Sequence, residues 1–248
     1  MRSGSANSLP LYARLESTLA AAIAAGEFPV GSRLPTETEL GTQFRASRTT
    51  VRKAIENLVA RGLVEIRRGT GTFVIQPRIT QELTELTGFV EDMEALGHTA
   101  SAKLLDRMIL AAEADVAEQL AVAPGTPVMR IRRLRLANGV AMSLDETYLP
   151  RDIGDRIVTH DLDTEPIFSL LEQRYGIPLV EADYRLEAAL ADHEVAGALT
   201  VPAGSPVFLI ERTSYSTAGR PVDYEKLHYR GDLIRFTTRL ARRKPAGS

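Results

Sequence analysis

The chain contains no cysteine, which excludes disulfides and thiolate-bound metals. That absence suits a reducing compartment, and a cytoplasmic location is the expectation. No apolar run approaches the ~20 residues a helix needs to cross a bilayer. The most apolar N-terminal stretch, from Leu19 to Ala25, follows Glu16 and reads as part of an amphipathic helix rather than a leader. There are four histidines, His98, His160, His193 and His228, and none has a metal-ligand spacing such as HxxxH. No Ser-His-Asp arrangement and no glycine-cradled phosphate loop can be assembled. No catalytic residue, metal or cofactor is therefore assigned. An excess of basic charge is missing too, the formal net charge being −2.

What is present is ordinary globular material: 248 residues, 44% hydrophobic and 25% charged, enough for two domains. The distribution of charge says more than its total. From Arg45 to Arg68 stand seven basic residues (Arg45, Arg48, Arg52, Lys53, Arg61, Arg67, Arg68) against Glu56 and Glu65, a local +5 that leaves −7 on the rest. A short basic block on an acidic chain is the electrostatic footprint of a site for a polyanion.

The context of that block is helical. Leu11, Leu15, Leu19 and Ile23 mark one stripe of a first helix ended by Gly26. Pro29, Gly31 and Pro35 then break the chain, and Thr36 precedes Glu39 at the capping-box spacing, predicting a second, short helix with Leu40 and Phe44 inward. Ser47 is the expected N-cap of a third helix that buries Val51, Ile55 and Leu58. Two helices a few residues apart, the second basic at its start, form a helix-turn-helix whose Arg48, Thr49, Thr50 and Arg52 would meet base edges in the major groove. Arginine forks onto guanine, and threonine hydrogen-bonds phosphate or touches a thymine methyl. Alternating residues on either side of Arg67-Arg68-Gly69-Thr70-Gly71 predict a two-stranded wing with a basic turn.

In this order the elements resemble the GntR family of bacterial regulators over residues 9 to 76, carried by PLYARLE at 10–16, GSRLPTETEL at 31–40, FRASRTTVRKAIENL at 44–58 and GLVEIRRGTGTFV at 62–74. The resemblance implies DNA contacts from Arg33, Glu37, Arg45, Ser47, Arg48, Thr49, Thr50, Arg52, Arg68, Gly69 and Thr70. The chain departs from the pattern at Arg45 and Ala46, where Gly and Val are usual.

Beyond it, Leu83, Leu86, Val90, Met93 and Leu96 predict a helix over 83–96 ending at Gly97, the expected transmission element between domains. Arg130 to Ala137 and Val140 to Leu149 alternate about Asn138-Gly139, a strong hairpin signal. Residues 115–131 repeat as 194–210 at an offset of 79, and the offset becomes 80 past the turn, where Gly139 meets Gly219. Each copy reads helix, Pro/Gly turn, strand, hairpin, strand. Two related halves about a pseudo-twofold, building one antiparallel sheet, are therefore expected, an α+β domain. Arg133 matches Arg212, but Arg135 matches Ser214, so the Arg133–Arg135 pair breaks the symmetry. Two residues apart on a strand, these arginines share a face, where they repel unless an anion or carboxylates lie between them.

This half resembles the UTRA ligand-binding domain of the HutC subfamily of GntR regulators over about residues 85 to 242, carried by RLRLANG at 133–139, DETYLP at 145–150, EQRYGIP at 172–178 and RPVDYEKLHYRGDLIRF at 220–236. The resemblance implies a chorismate-lyase-like fold and an effector pocket lined by Arg133, Arg135, Asp145, Asp223 and Tyr229, with Ser169 nearby. It also implies a small anionic effector, a phosphorylated amino sugar or an organic acid such as urocanate. Both acids are aspartate where glutamate is commoner. Pro166 stands where many relatives carry a phosphate-binding serine, and proline offers neither hydroxyl nor N–H.

The expected organisation is a flexible tail (1–8), a winged helix-turn-helix (9–76), a linker (77–84), the effector and dimerisation domain (85–242) and a short tail (243–248). The expected function is a dimeric, effector-responsive repressor on a two-half-site DNA operator, with no membrane association. The alternative is a chorismate-lyase-like enzyme acting on a small aromatic acid.

Overall fold

The structure, a computed structural model, describes residues 10–75 and 78–241. Both expected tails (1–8 and 243–248) fall outside these residues, as do Leu9, Gln76 and Arg242 at the ends of the expected domains and Pro77 at the start of the expected linker. The chain divides into two units after Arg78.

The first unit holds α1 (Leu11–Ala24), α2 (Glu37–Phe44), α3 (Arg48–Ala60) and the hairpin β1 (Val64–Arg67) and β2 (Gly71–Val74). The apolar stripes meet as the spacing requires: Leu15 and Leu19 of α1, Leu40 of α2 and Val51, Ile55 and Leu58 of α3 close one core with Val64 and Val74. Each such side chain, once buried, contributes about 1.5–3 kcal/mol. The capping box on α2 forms: Thr36 N–H donates to Glu39 Oε2 at 2.7 Å, and Glu39 N–H donates to Thr36 Oγ1 at 3.3 Å. The segment Gly31 to Leu34 runs beside β2, with Gly31 N–H donating to the Val74 carbonyl and Leu34 N–H to that of Thr72.

The second unit opens with β3 (Ile79–Glu82), which pairs in parallel with the last strand, β10 (Ile234–Thr237). Part of the stretch expected as linker is therefore strand. The helix expected over 83–96 is shorter, α4 (Phe89–Ala95). Leu83 still donates its N–H to the Thr237 carbonyl, so the backbone stays extended. The helix starts only where Gly88 N–H meets the Glu91 carboxylate at 3.0 Å. An apolar spacing alone does not distinguish these two conformations.

The sheet contains β4 (Ala100–Ala111), β5 (Pro127–Ala137), β6 (Val140–Pro150), β7 (Glu181–Leu190), β8 (Pro206–Tyr215) and β9 (Pro221–Arg230), all antiparallel, in the order β4-β5-β6-β9-β8-β7. That order is a palindrome of the repeat. At its centre Glu146 pairs with Lys226, its own counterpart at the offset of 80. The correspondence reaches backbone conformation: Ala121 and Thr200 are both left-handed, with φ 53° and 55°. Asn138 and Gly139 take φ 50° and 78°, the geometry of a type I′ hairpin turn. One face of the sheet carries α5 (Ala114–Gln119) and α8 (His193–Leu199) through two clusters centred on Val116 and Leu120 and on Val195 and Leu199. The other face is covered by α4, by α6 (Arg151–Ile157) and by α7 (Ile167–Ser169) with the π-helical turn Leu170–Arg174.

Candidate functional site

In the first unit, the basic block is presented at three exposed places. The first is the turn between α2 and α3. Arg45 ends α2 in the left-handed region (φ 49°), which explains why glycine suits this position: only glycine adopts it without a steric cost. The second is the start of α3, where Ser47 caps the helix by accepting the Thr50 N–H at 3.2 Å and Ser47 Oγ meets Thr50 Oγ1 at 2.9 Å. Two hydroxyls from the candidate list therefore also hold the helix terminus. Arg48, Thr49 and Arg52 are exposed there, Arg52 pairing with Glu56 at 3.4 Å. Glu37 is exposed in the first turn of α2. The third is the wing, whose tip Arg68-Gly69-Thr70 is exposed. Arg67 lies 4.4 Å over the Phe73 ring. Arg33 bridges to Phe73 by backbone, and its guanidinium packs on Gly71 so closely that a Cβ there would stand 2.4 Å from Nε. A helix N-terminus flanked by unpaired arginines attracts phosphate. Arg45 and Arg48 make no ion pair among the described residues.

In the second unit, a cavity of about 210 Å³ lies between the sheet and the helices α4 and α7. Arg133, Arg135, Asp145, Ser169 and Tyr229 all line it. Asp223 lies on the same sheet face but is fully buried beside Ser214, whose N–H donates to Asp223 Oδ1 at 3.2 Å; it is not among the lining residues. Glu225, two residues on, lines the cavity instead, with Arg212, Tyr184, Phe168 and Gln81. Arg212 and Glu225 were legible in the repeat, since they are the counterparts of Arg133 and Asp145.

The electrostatics of the floor follow from that repeat. Opposite each other on neighbouring strands stand Arg133 and Asp145 in one half, and Arg212 and Glu225 in the other. In the second half the pair closes as an ion pair, and the Arg212 guanidinium also stacks over Phe168 at 4.5 Å and donates to Tyr184 at 2.8 Å. In the first half Arg135 takes the carboxylate: its Nε meets Asp145 Oδ2 at 2.9 Å, and Ser143 Oγ donates to Oδ1 at 2.6 Å. Arg133 is left over. It is 1% exposed, and its buried Nε and Nη1 have no hydrogen-bond partner. Burial, and then the Arg135 charge, push its guanidinium down to about 9. Burial also works against a charged Glu225, yet Arg212, Arg133 and Arg135 together hold that carboxyl below its ordinary value. Burial raises Asp223, with the Glu225 charge adding to it. Burial likewise keeps the Tyr229 hydroxyl protonated. A buried cation whose donors lack partners is costly to the fold. Among the described residues, no group of three or more His, Asp or Glu is placed to hold a metal.

A DNA-reading winged unit followed by a sheet unit with a charged cavity defines a class of effector-linked regulators. Comparison with known proteins gives the family. The profile for bacterial regulatory proteins of the gntR family matches residues 11–74, and that for the UTRA domain matches residues 95–235. The HTH-type transcriptional repressor NagR of Bacillus subtilis (strain 168) is 34% identical over 228 residues, covering 92% of this chain and 93% of NagR. The Histidine utilization repressor of Pseudomonas putida is 29% identical over 233 residues, covering 94% and 93%. Among solved structures, PhnF from Mycobacterium smegmatis aligns with a TM-score of 0.74 at 29% identity over 94% of this chain and 100% of that one. The chain belongs to the GntR family of DNA-binding transcriptional regulators, in the HutC subfamily that carries a UTRA domain. The enzyme alternative is set aside on that ground. Among the described residues no helix is long and apolar enough to cross a membrane.

Proposed function

We infer that this regulator is a cytoplasmic repressor that binds a two-half-site operator as a homodimer and is controlled by a small anionic metabolite in the UTRA cavity. The observation that carries the reading is Arg133, a buried guanidinium with two donor atoms unpartnered in a cavity. The names of two relatives, both repressors, support the sign of the response. At about 210 Å³ the cavity is below the ~300–1,000 Å³ range of drug-sized sites and suits a small molecule. Pro166 lines it without a hydroxyl or an N–H, which favours an organic acid over a phosphate ester; Ser169 keeps one hydroxyl at the wall.

On the DNA side, Arg48, Thr49 and Arg52 at the exposed start of α3 read base edges, Arg45 meets a phosphate, and the wing tip follows the backbone. Arg33, Glu37, Ser47 and Thr50 complete the interface or hold its helices. Effector and operator are then linked, each changing the affinity for the other by the same factor.

The test is fluorescence anisotropy against operators selected from genomic fragments, across a salt series and then with a panel of organic acids and sugar phosphates. Saturable binding with a steep salt slope is expected, along with release by one acid class. Replacing Arg48 with alanine should weaken binding by about 1–3 kcal/mol per half-site and relax specificity. Operator affinity indifferent to every anion in the panel overturns the effector reading, and an unchanged Arg48→Ala variant removes Arg48 from base readout.

A further inference from the structure

Strand β3 holds an inward-facing polar side chain that the charged floor does not account for. Its alternation places Ile79 and Gln81 inside and Thr80 and Glu82 outside. Ile79 packs into the core with Tyr229 and Phe236, as an inward position should. Gln81, 9% exposed, instead puts an amide against the cavity wall. A buried amide costs stability unless its groups are matched.

Only one of its two groups is matched. The Gln81 amide nitrogen donates to Asp92 Oδ2 on α4. Asp92 Oδ1 accepts from Thr87 Oγ1 at 2.6 Å, and the Thr87 carbonyl accepts from Arg212 Nη1 at 3.1 Å. A carboxylate accepts and does not donate, so the amide orientation is set by chemistry: nitrogen towards Asp92, oxygen away from it. That oxygen, Oε1, is buried and has no hydrogen-bond partner. The cavity wall therefore carries unmatched donors on Arg133 and an unmatched acceptor on Gln81.

We propose that Gln81 is a specificity-determining contact that requires a hydrogen-bond donor on the effector, so that the ligand class is an anion bearing a hydroxyl, amino or amide N–H group. Hydroxy acids, polyol phosphates and amino acids belong to that class; plain alkyl carboxylates and phosphates do not. The proposal rests on the anion reading of the cavity. A ligand without a donor leaves Oε1 desolvated and unpaired, and sites built this way discriminate strongly against analogues lacking the group. Because β3 is also the first element after the unit boundary at Arg78, the residue that reads the donor stands on the strand that continues from the DNA-reading unit.

The test is isothermal titration of the full chain with matched pairs: glycerate against propionate, and glycerol 3-phosphate against n-propyl phosphate. In whichever pair binds, the hydroxylated member should be tighter by about tenfold or more. Gln81→Met should bring that ratio close to one. Equal affinities in the native chain, or a ratio that survives in Gln81→Met, overturn the proposal and leave the anion reading intact. Binding of neither pair overturns the anion reading, and the Gln81 assignment with it. Should Gln81→Met fail to fold, Gln81→Ala carries the same comparison, and a native ratio near one refutes the proposal without any variant.

Discussion

Replacing Arg133 with methionine should make the free protein more stable while making it unresponsive to effector. An unbranched apolar side chain of similar length keeps the stem packing on the sheet and removes the charge. The guanidinium is pushed down to about 9, well below its ordinary value. At ~1.4 kcal/mol per pH unit that corresponds to roughly 5 kcal/mol of bias against the charged form. Because side chains relax around a buried charge, about 1–3 kcal/mol of this should be recovered on substitution. Asp145 does not lose its partner in the exchange, since Arg135 and Ser143 hold both its oxygens. Urea unfolding in a buffer poor in anions measures the difference directly, and in heat the gain should raise Tm by about 2–4 °C per kcal/mol. Anions from the panel should stabilise the native chain and not the variant, while operator affinity stays the same. A variant less stable than the native chain would mean that the protein already satisfies the Arg133 charge. The argument for an anion receptor would then fail.

Other perturbations read other parts of the molecule. Arg45→Gly places glycine at φ 49° and should stabilise the DNA-reading unit by about 1 kcal/mol, as monitored by chemical denaturation; a loss of stability would mean that the arginine side chain holds the turn. Gly71→Ala forces a non-glycine residue to φ 134° with its Cβ 2.4 Å from Arg33 Nε. It should cost about 1–3 kcal/mol and lower operator affinity by displacing Arg33, and unchanged anisotropy would separate Arg33 from DNA. For Asp223, the carboxyl is raised in the fold by burial and by the Glu225 charge, so the native state holds its proton more tightly than the unfolded chain. That contribution is complete below the ordinary aspartate value near 3.9 and is lost as pH rises towards the raised value. Asp223→Asn should flatten the decline and exceed native stability at neutral pH, as read from urea midpoints between pH 4.5 and 8. Parallel profiles for the two proteins would refute the shift.

Local chemistry decided much of this molecule in advance. The Thr36–Glu39 box, the Ser47 cap, the Asn138-Gly139 turn and the 79-residue repeat act over a few residues or by copying, and each is visible in one dimension. The repeat went furthest, because a duplicated strand pair closing on itself dictates the palindromic sheet order. It also carried Arg212 and Glu225, which become legible once the symmetric positions are weighed as heavily as those that break the symmetry. Other features needed the folded chain. The short β3 has no partner until β10, more than 150 residues later, comes back beside it, so the stretch passed for linker. Whether Arg133 or Arg135 takes Asp145 depends on side-chain geometry across two strands. Whether Asp223 or Glu225 reaches the cavity depends on where helices cover the sheet face. Neither choice leaves a trace in residue order, because hydrogen bonding and desolvation are decided only when distant segments exclude water together.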